Sequence, residues 1–261
     1  MKGCRRFLSV ALLLIVLTLF FLSGCNTSTE GAFDPYTVPV FSTVPNDLHA
    51  QAEQIQSKLD MSGNGSFRIS DNGAITYYRS ESNEKTPMQM TDDEALRQAT
   101  AYLNELGLLP KDEYRTVISR VNQTGMDLVE GKDSSPETIW IDVFFYRVFN
   151  GVDVVSDQED GILLSFDAQG LRSLQYFWRS METSKISKDA KPISAEDAHQ
   201  IYREQWDSRH GSCCEPYENP EIFSAYVQIN GVSRPCWVIA EDNMYTNAWC
   251  IDMLTGQVLL G

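Results

Sequence analysis

One pattern occurs twice in this chain and constrains its architecture more than any other feature. Residues 90–103 read MTDDEALRQATAYL, and residues 193–206 read ISAEDAHQIYREQW. Each places an apolar residue before a Thr or Ser, then acids, then an alanine, Ala95 or Ala198. Thr91 with Glu94 matches a capping box, and Ser194 with Asp197 matches a shorter-armed form of it. Acids at these positions also sit against the positive end of the helix dipole. Two helices are therefore predicted. The first stops at Gly107, which suits a left-handed cap, with Pro110 just beyond.

Strand-like runs follow each helix. After the first come 116–123, 139–149 (IWIDVFFYRVF), 152–155, 162–167 and 171–178, with turns at Asn150-Gly151 and at 168–170. After the second come 222–229, a turn at Asn230-Gly231, then 235–240, 248–253 and 257–260. Asn-Gly supplies the positive φ angles of a two-residue hairpin. Residues 124–137 read as an inserted loop. Both halves share one order: capped helix, aromatic-rich strand, Asn-Gly, strand, strand, glycine turn. Upstream, Leu48, Ala52, Ile55 and Leu59 fall at helical spacing between Asn46 and about Met61. Residues 66–80 read as a further hairpin around Asp71-Asn72-Gly73. Antiparallel sheets with a helix packed on one face define an α+β fold class.

The N-terminus has a different character. MKGCRR precedes FLSVALLLIVLTLFFL, an uncharged apolar run over 7–22, which is the layout of a secretory signal. Leu22-Ser23-Gly24-Cys25 then resembles the lipobox of bacterial lipoproteins. That resemblance implies a diacylglyceryl group on Cys25 and cleavage after Gly24, leaving residues 1–24 as the signal peptide. It also implies an exported protein, held on the outer face of the cytoplasmic membrane or on an outer membrane if the source has one. Cleavage removes Lys2, Arg5 and Arg6 and no acid. The whole chain carries −15 over 261 residues, and the mature chain carries 18 basic against 36 acidic residues. Such an acid excess excludes nucleic acid as a partner, because phosphate binding needs basic patches. It also repels an anionic bilayer, so the body is expected to stand off the membrane that its lipid holds. Residues 25–45, with three prolines and no period, read as a flexible tether with a reach of about 25 Å.

The repeated helix starts resemble those of PepSY-like domains. So do the ending CWVIA…AWCIDMLTGQVL and the segment YRVFNGVDVV…GILLSFDAQGLRSL. The resemblance spans roughly 89–261 and implies two tandem units, 89–185 and 186–261, behind an N-terminal helix and hairpin over 46–88. Similar domains occur in propeptides of secreted metallopeptidases, in spore germination proteins and in Yyc-type regulators of membrane sensor kinases. The resemblance thus implies a non-catalytic binding or regulatory module without a cofactor. Its partner would be a sensor kinase, a peptidase or a cell-wall hydrolase.

Four cysteines remain once Cys4 leaves and Cys25 takes lipid: Cys213, Cys214, Cys236 and Cys250. An even number in an exported chain reads as disulfides. A hairpin register with Cys236 facing Cys250 also sets Trp237 against Trp249 on the other side. The competing pairing sends Cys213 and Cys214 each to one strand cysteine. It avoids the strain of a bridge between neighbours whose Cα atoms lie about 3.8 Å apart. His210, Cys213 and Cys214 also form a possible soft-metal set, which gives the alternative reading of a solute- or metal-binding lipoprotein.

The remaining features carry less chemistry. No G-x-S-x-G or H-E-x-x-H motif occurs, and His49, His199 and His210 read as surface residues. Asp153, Asp157, Glu159 and Asp160 do not fit a calcium loop and read as a solvated turn. Trp140, Phe144, Tyr146, Tyr176 and Trp178 alternate along strands. They are core residues or, if one sheet face is uncovered, an apolar surface for a partner or a strand-adding peptide.

Overall fold

The computed structural model describes residues 33–42, 48, 51–59, 65–80, 86–123, 126–127, 132–133, 135–156, 160–210, 216–241 and 248–260. Among them are three helices: α1 (Ala52–Leu59), α2 (Asp92–Leu106) and α3 (Ala195–His210). The capping box of α2 forms, with Glu94 N donating to Thr91 Oγ1 (3.2 Å) and Thr91 N to Glu94 Oε2 (3.0 Å). Gly107 ends the helix at φ 73°, where a side chain would be strained. At α3 the shorter aspartate does the same work: Ser194 N donates to Asp197 Oδ2 and Asp197 N to Ser194 Oγ, both at 3.1 Å.

Strands β1 (Thr37–Phe41), β2 (Gly65–Ile69), β3 (Ile75–Arg79), β4 (Tyr114–Gln123), β7 (Glu137–Phe149), β8 (Val152–Ser156) and β9 (Gly161–Asp167) make up the first part of the chain. Then come β10 (Gly170–Phe177), β11 (Met181–Lys185), β12 (Glu221–Ile229), β13 (Val232–Ala240), β14 (Trp249–Asp252) and β15 (Val258–Leu260). The expected loop over 124–137 holds a two-rung ladder of β5 (Met126–Asp127) with β6 (Lys132–Asp133). In the hairpin of β2 and β3 only Gly73 takes positive φ. Asn72 instead accepts from Ser70 Oγ (2.5 Å) and Ala74 N (3.1 Å). One expectation is corrected: residues 37–41, expected within a tether, are a strand paired with β11, and Val38 and Phe41 are buried.

The result is α+β, with eleven strands joined through one mixed sheet and small ladders beside it. The two expected halves are continuous in that sheet, and their join, β8 with β12, is parallel. The join arises from an interrupted hairpin. After Asn150-Gly151, β8 returns along β7 for two rungs, Phe149↔Val152 and Val148↔Asp153. The chain then leaves β7 and resumes at Tyr146↔Gly161 as β9. In the gap, Val154–Ser156 pair with β12. The sheet therefore forks: one leaf continues through β9, β10, β3 and β2, and the other through β12, β13, β14 and β15.

Register carries the faces across the fork, since paired residues share a side. Ile141, Val143 and Phe145 meet Ala95, Ala99 and Leu103 of α2. Burying Leu103 fully contributes about 2 kcal/mol. Phe149, Val154 and Tyr226 continue that face under the β1–β11 ribbon. Ile239, Trp249 and Ile251 continue it under Ala198 and Tyr202 of α3. Helices and ribbon thus lie on one side of the sheet, and β7 turns Trp140, Asp142, Phe144 and Tyr146 to the other.

Candidate functional site at the fork

Inward-facing positions of β7 read Ile139, Ile141, Val143, Phe145, Arg147, Phe149. Arg147 is fully buried where apolar residues flank it, and the fork is built around it. Its Nη1 lies 2.8 Å from Asp112 Oδ2, its Nε 3.3 Å from Asp160 Oδ2, and its Nη2 donates to the Arg179 carbonyl at 2.6 Å. Arg179 lies 3.8 Å from the same Asp160 carboxylate and donates from Nη2 to Gln228 Oε1 at 2.5 Å. Ser156 Oγ donates to that Gln228 oxygen at 3.1 Å. The guanidinium of Arg147 stands 4.1 Å over the Trp178 ring, and that of Arg179 stands 4.9 Å over Phe41. Burial pushes the Asp160 carboxyl up from its ordinary range, and the two arginines pull it back. Pairing keeps these charges tolerable in a low-dielectric interior. Gln228 Nε2 is buried without a hydrogen-bond partner among the described residues.

A cleft of about 620 Å3 opens beside this network. Phe144, Tyr146 and Leu163 line one wall, Val155 and Leu260 line the other, and Ser156 and Asp160 meet it at the fork. Beyond it runs the face of the first leaf that none of the described helices covers. Trp140, Phe144 and Tyr146 are half-buried there, and Tyr78 is 46% exposed. Arg172 lies 4.5 Å over Trp140, and Arg115 lies 4.8 Å over Tyr146 while pairing with Asp153 at 2.6 Å. The Phe144 and Tyr146 rings stack at 5.8 Å. Burial raises the Tyr146 hydroxyl, which Asp153 reinforces and Arg115 opposes.

The five aromatics singled out in the sequence therefore divide. Trp140, Phe144 and Tyr146 are on the open face. Tyr176 and Trp178 are in the core, where burial pushes the Tyr176 hydroxyl up to about 12. The acidic turn divides as well: Asp153 pairs with Arg115, Asp160 faces two arginines, and residues 157 and 159 lie outside the described residues. Arg147, Arg179 and Gln228 were not singled out in the sequence. The available signal was one arginine at an inward position of an otherwise apolar strand.

The cysteine register is corrected. Cys236 faces Asp252 and Cys250 faces Val238, while Trp237 faces Ile251 and Ile239 faces Trp249. A two-residue shift keeps every side chain on its expected face, because the strand period is two. Asp252 sets the shift: Oδ1 accepts from Leu254 N (2.8 Å) and Thr255 N (3.1 Å), and Oδ2 holds Arg234 at 2.8 Å. Among the described residues Cys236 and Cys250 are buried and not bridged to each other, and burial raises both thiols, Cys250 to about 12. Cys25, Cys213 and Cys214 lie outside the described residues, and His210 is the last residue of α3. His199 stacks on Tyr202 at 6.0 Å. Among the described residues no group of three or more His, Cys, Asp or Glu is placed to hold a metal ion. No helix among them is long and apolar enough to cross a membrane.

Ser156 donates to an amide that cannot act as a base, and Asp160 is clamped between two guanidinium groups.

No family model and no curated protein matches the chain. Two solved structures resemble it in fold. An uncharacterized protein from Eubacterium rectale is 12% identical at a TM-score of 0.46, covering 85% of this chain and 84% of that one. YycH from Bacillus subtilis is 10% identical at a TM-score of 0.44, covering 86% of this chain and 52% of that one. Likeness at this level assigns neither family nor function.

Proposed function

We propose that the protein is an exported lipoprotein, anchored through a diacylglyceryl group on Cys25. Its two PepSY-like units form a non-catalytic binding or regulatory module. Its partner is a protein at the outer membrane face: a sensor kinase, a peptidase or a cell-wall hydrolase. The observation that carries this reading is the face of the first leaf that no described helix covers, where Trp140, Phe144 and Tyr146 lie half-buried along β7 up to the cleft and Tyr78 lies exposed on β3, across β9 and β10. Contiguous aromatic exposure is the usual mark of a docking surface. Two capped helices, each followed by an aromatic-rich strand and an Asn-Gly turn, support the tandem units. The Leu22–Cys25 motif supports the anchor.

Affinity capture from crosslinked membranes tests the reading. A protein recovered with the native chain should be lost with Phe144→Asp and with Tyr78→Asp, the latter at a position too exposed to threaten folding. Capture indifferent to both changes would overturn it. The cleft itself supports a second reading, a solute-binding lipoprotein, since its volume is that of a small-ligand site. A small molecule that raises the melting temperature, with no protein captured, would put that reading first. Stoichiometric metal in the non-reduced protein would instead favour the His210–Cys214 loop.

A further inference from the structure

The strand at 37–41 changes where the anchor meets the body. Phe33, only eight residues beyond Cys25, already packs against Tyr226 with ring centroids 5.2 Å apart. Tyr226 Oη donates to the Asp34 carbonyl at 3.1 Å. Eight residues span at most about 28 Å when fully extended. A lipid on Cys25 therefore holds this end of the molecule close to the bilayer surface.

That end carries an unusual charge. Seven lysines follow residue 24, and three of them are Lys185, Lys188 and Lys191. All three are exposed on the segment leaving β11. This segment is fixed to the root of the tether: Ile186 N donates to the Tyr36 carbonyl (2.9 Å), and Tyr36 Oη donates to the Ala190 carbonyl (2.8 Å). Lys188 Nζ lies 5.5 Å from the centre of the Tyr36 ring. The nearby acids stay ionised and offset part of this charge: hydrogen bonds from Tyr36 and Thr37, then Lys188 and Lys185, hold Asp34 below its ordinary range, and Asp197, held down mainly by Ser194, also feels Lys191. Asp34 accepts from Tyr36 N (3.0 Å) and Thr37 Oγ1 (2.8 Å), and Asp189 accepts from Ser187 Oγ (2.5 Å). Glu182 is set apart at the other end of the ribbon, opposite Val40.

We propose that Lys185, Lys188 and Lys191 are the membrane-facing pole of the anchored protein and rest on the anionic headgroups of the bilayer. The proposal depends on the lipid attachment argued above. A concentration of lysines at one end of an otherwise acidic body gives orientation where the charge as a whole would give only repulsion. Tyr226 and the ribbon lie on the helix-bearing side of the sheet. The pole therefore turns that side toward the membrane and leaves the aromatic face of the first leaf directed away from it, open to a partner.

Amine footprinting of the lipidated full chain in vesicles tests this. In vesicles containing phosphatidylglycerol, Lys185, Lys188 and Lys191 should label roughly fivefold more slowly than in pure phosphatidylcholine, the scale of one lysine at an anionic surface. Lys58, on α1 at the far end of the first leaf, should not change. High salt should erase the difference. Equal labelling of the three lysines in both vesicles would overturn the proposal. So would protection that survives Lys188→Glu and Lys191→Glu together at Lys185. Mass spectrometry of Cys25 separates the two claims. Lipid on Cys25 with unprotected lysines sinks the pole and keeps the anchor. Unlipidated Cys25 with lysines that still respond to phosphatidylglycerol sinks the anchor and keeps the pole.

Discussion

The two Asn-Gly hairpins begin alike and end differently. Asn150 and Asn230 take φ of 52° and 51°, and Gly151 and Gly231 take 75° and 80°. The second hairpin then zips through nine rungs, from Ile229↔Val232 to Glu221↔Ala240. The first makes two rungs and parts. Turn chemistry thus sets where a hairpin starts, and the interior beside it sets how far it runs. Beside β12 and β13 the interior is apolar on both faces apart from Gln228, near the turn, which reaches into the fork. Beside β7 the next inward residue is Arg147, whose partners Asp160 and Arg179 come from the far side of the excursion.

The sharpest way to break this comparison is to remove the charge that holds the fork. Arg147→Met keeps most of the side-chain volume and leaves Asp160, 1% exposed, with Arg179 at 3.8 Å as its one cation among the described residues. Losing one partner of a buried pair costs about 3–5 kcal/mol. The counterpart in the second leaf is Arg234→Met. Arg234 is 42% exposed, and Asp252 keeps two backbone amides, so about 1 kcal/mol is expected. Urea denaturation of both variants measures the contrast. Equal losses would mean that the network does not hold the fork. Asp160→Asn in the Arg147→Met background should recover part of the larger loss, because no buried carboxylate then stands unpaired.

What the sequence revealed follows the same division. Caps, turns and strands depend on residues close in the chain. Thr91 with Glu94, Gly107, both Asn-Gly pairs and nine of the twelve described strands from residue 114 on were legible for that reason, while β5, β6 and β11 were not. The tether was misjudged at 37–41, because the pairing of β1 with β11 joins segments about 145 residues apart and leaves no local period. The cysteine register missed by two residues, since Asp252, tied to the turn after it, outweighed an aromatic pair. Of the candidate site, the aromatic row was legible as an alternation. Which of its members face outward was not, because the fork redistributes them. The Arg147 network joins five separate segments, and only the parity of one arginine hinted at it.

A smaller test acts on the turns. Gly151→Ala and Gly231→Ala each force an alanine into the left-handed region, which costs roughly 1–2 kcal/mol. At Gly231 a Cβ would meet nothing within 4 Å, so the cost is conformational alone. The variants should differ in reach. Nine rungs hold the second hairpin, so Gly231→Ala should raise amide exchange only near Ile229 and Val232. Two rungs hold β8, so Gly151→Ala should raise exchange through Asp153 and into the parallel pairing of Val154–Ser156. Matching exchange patterns would show that the interruption does not weaken the first hairpin.

The smallest effect concerns the helix starts, where the two halves are most alike. Thr91→Ala and Ser194→Ala each remove the hydroxyl of a reciprocal cap and should each cost about 1 kcal/mol in denaturant titration. The paired acids add a pH signature of known sign. Hydrogen bonds from Thr91 hold the Glu94 carboxyl below its ordinary 4.5, and those from Ser194 hold Asp197 below its ordinary 3.8. A carboxyl lowered in the folded state lends stability above its unfolded value, which is lost as pH falls through the folded one. Glu94→Gln and Asp197→Asn should therefore be less stable than the native chain at neutral pH and converge with it in acid. Asp160 acts with the opposite sign: its carboxyl is raised in the folded state, so its contribution falls as pH climbs from 3.8 toward the raised value. A native chain whose acid limb is unaltered by Glu94→Gln and Asp197→Asn would show that neither cap carboxylate supplies it, and the sign of the Asp160 shift excludes that carboxylate as its source. The two helix starts would then be alike in geometry and equally silent in energy.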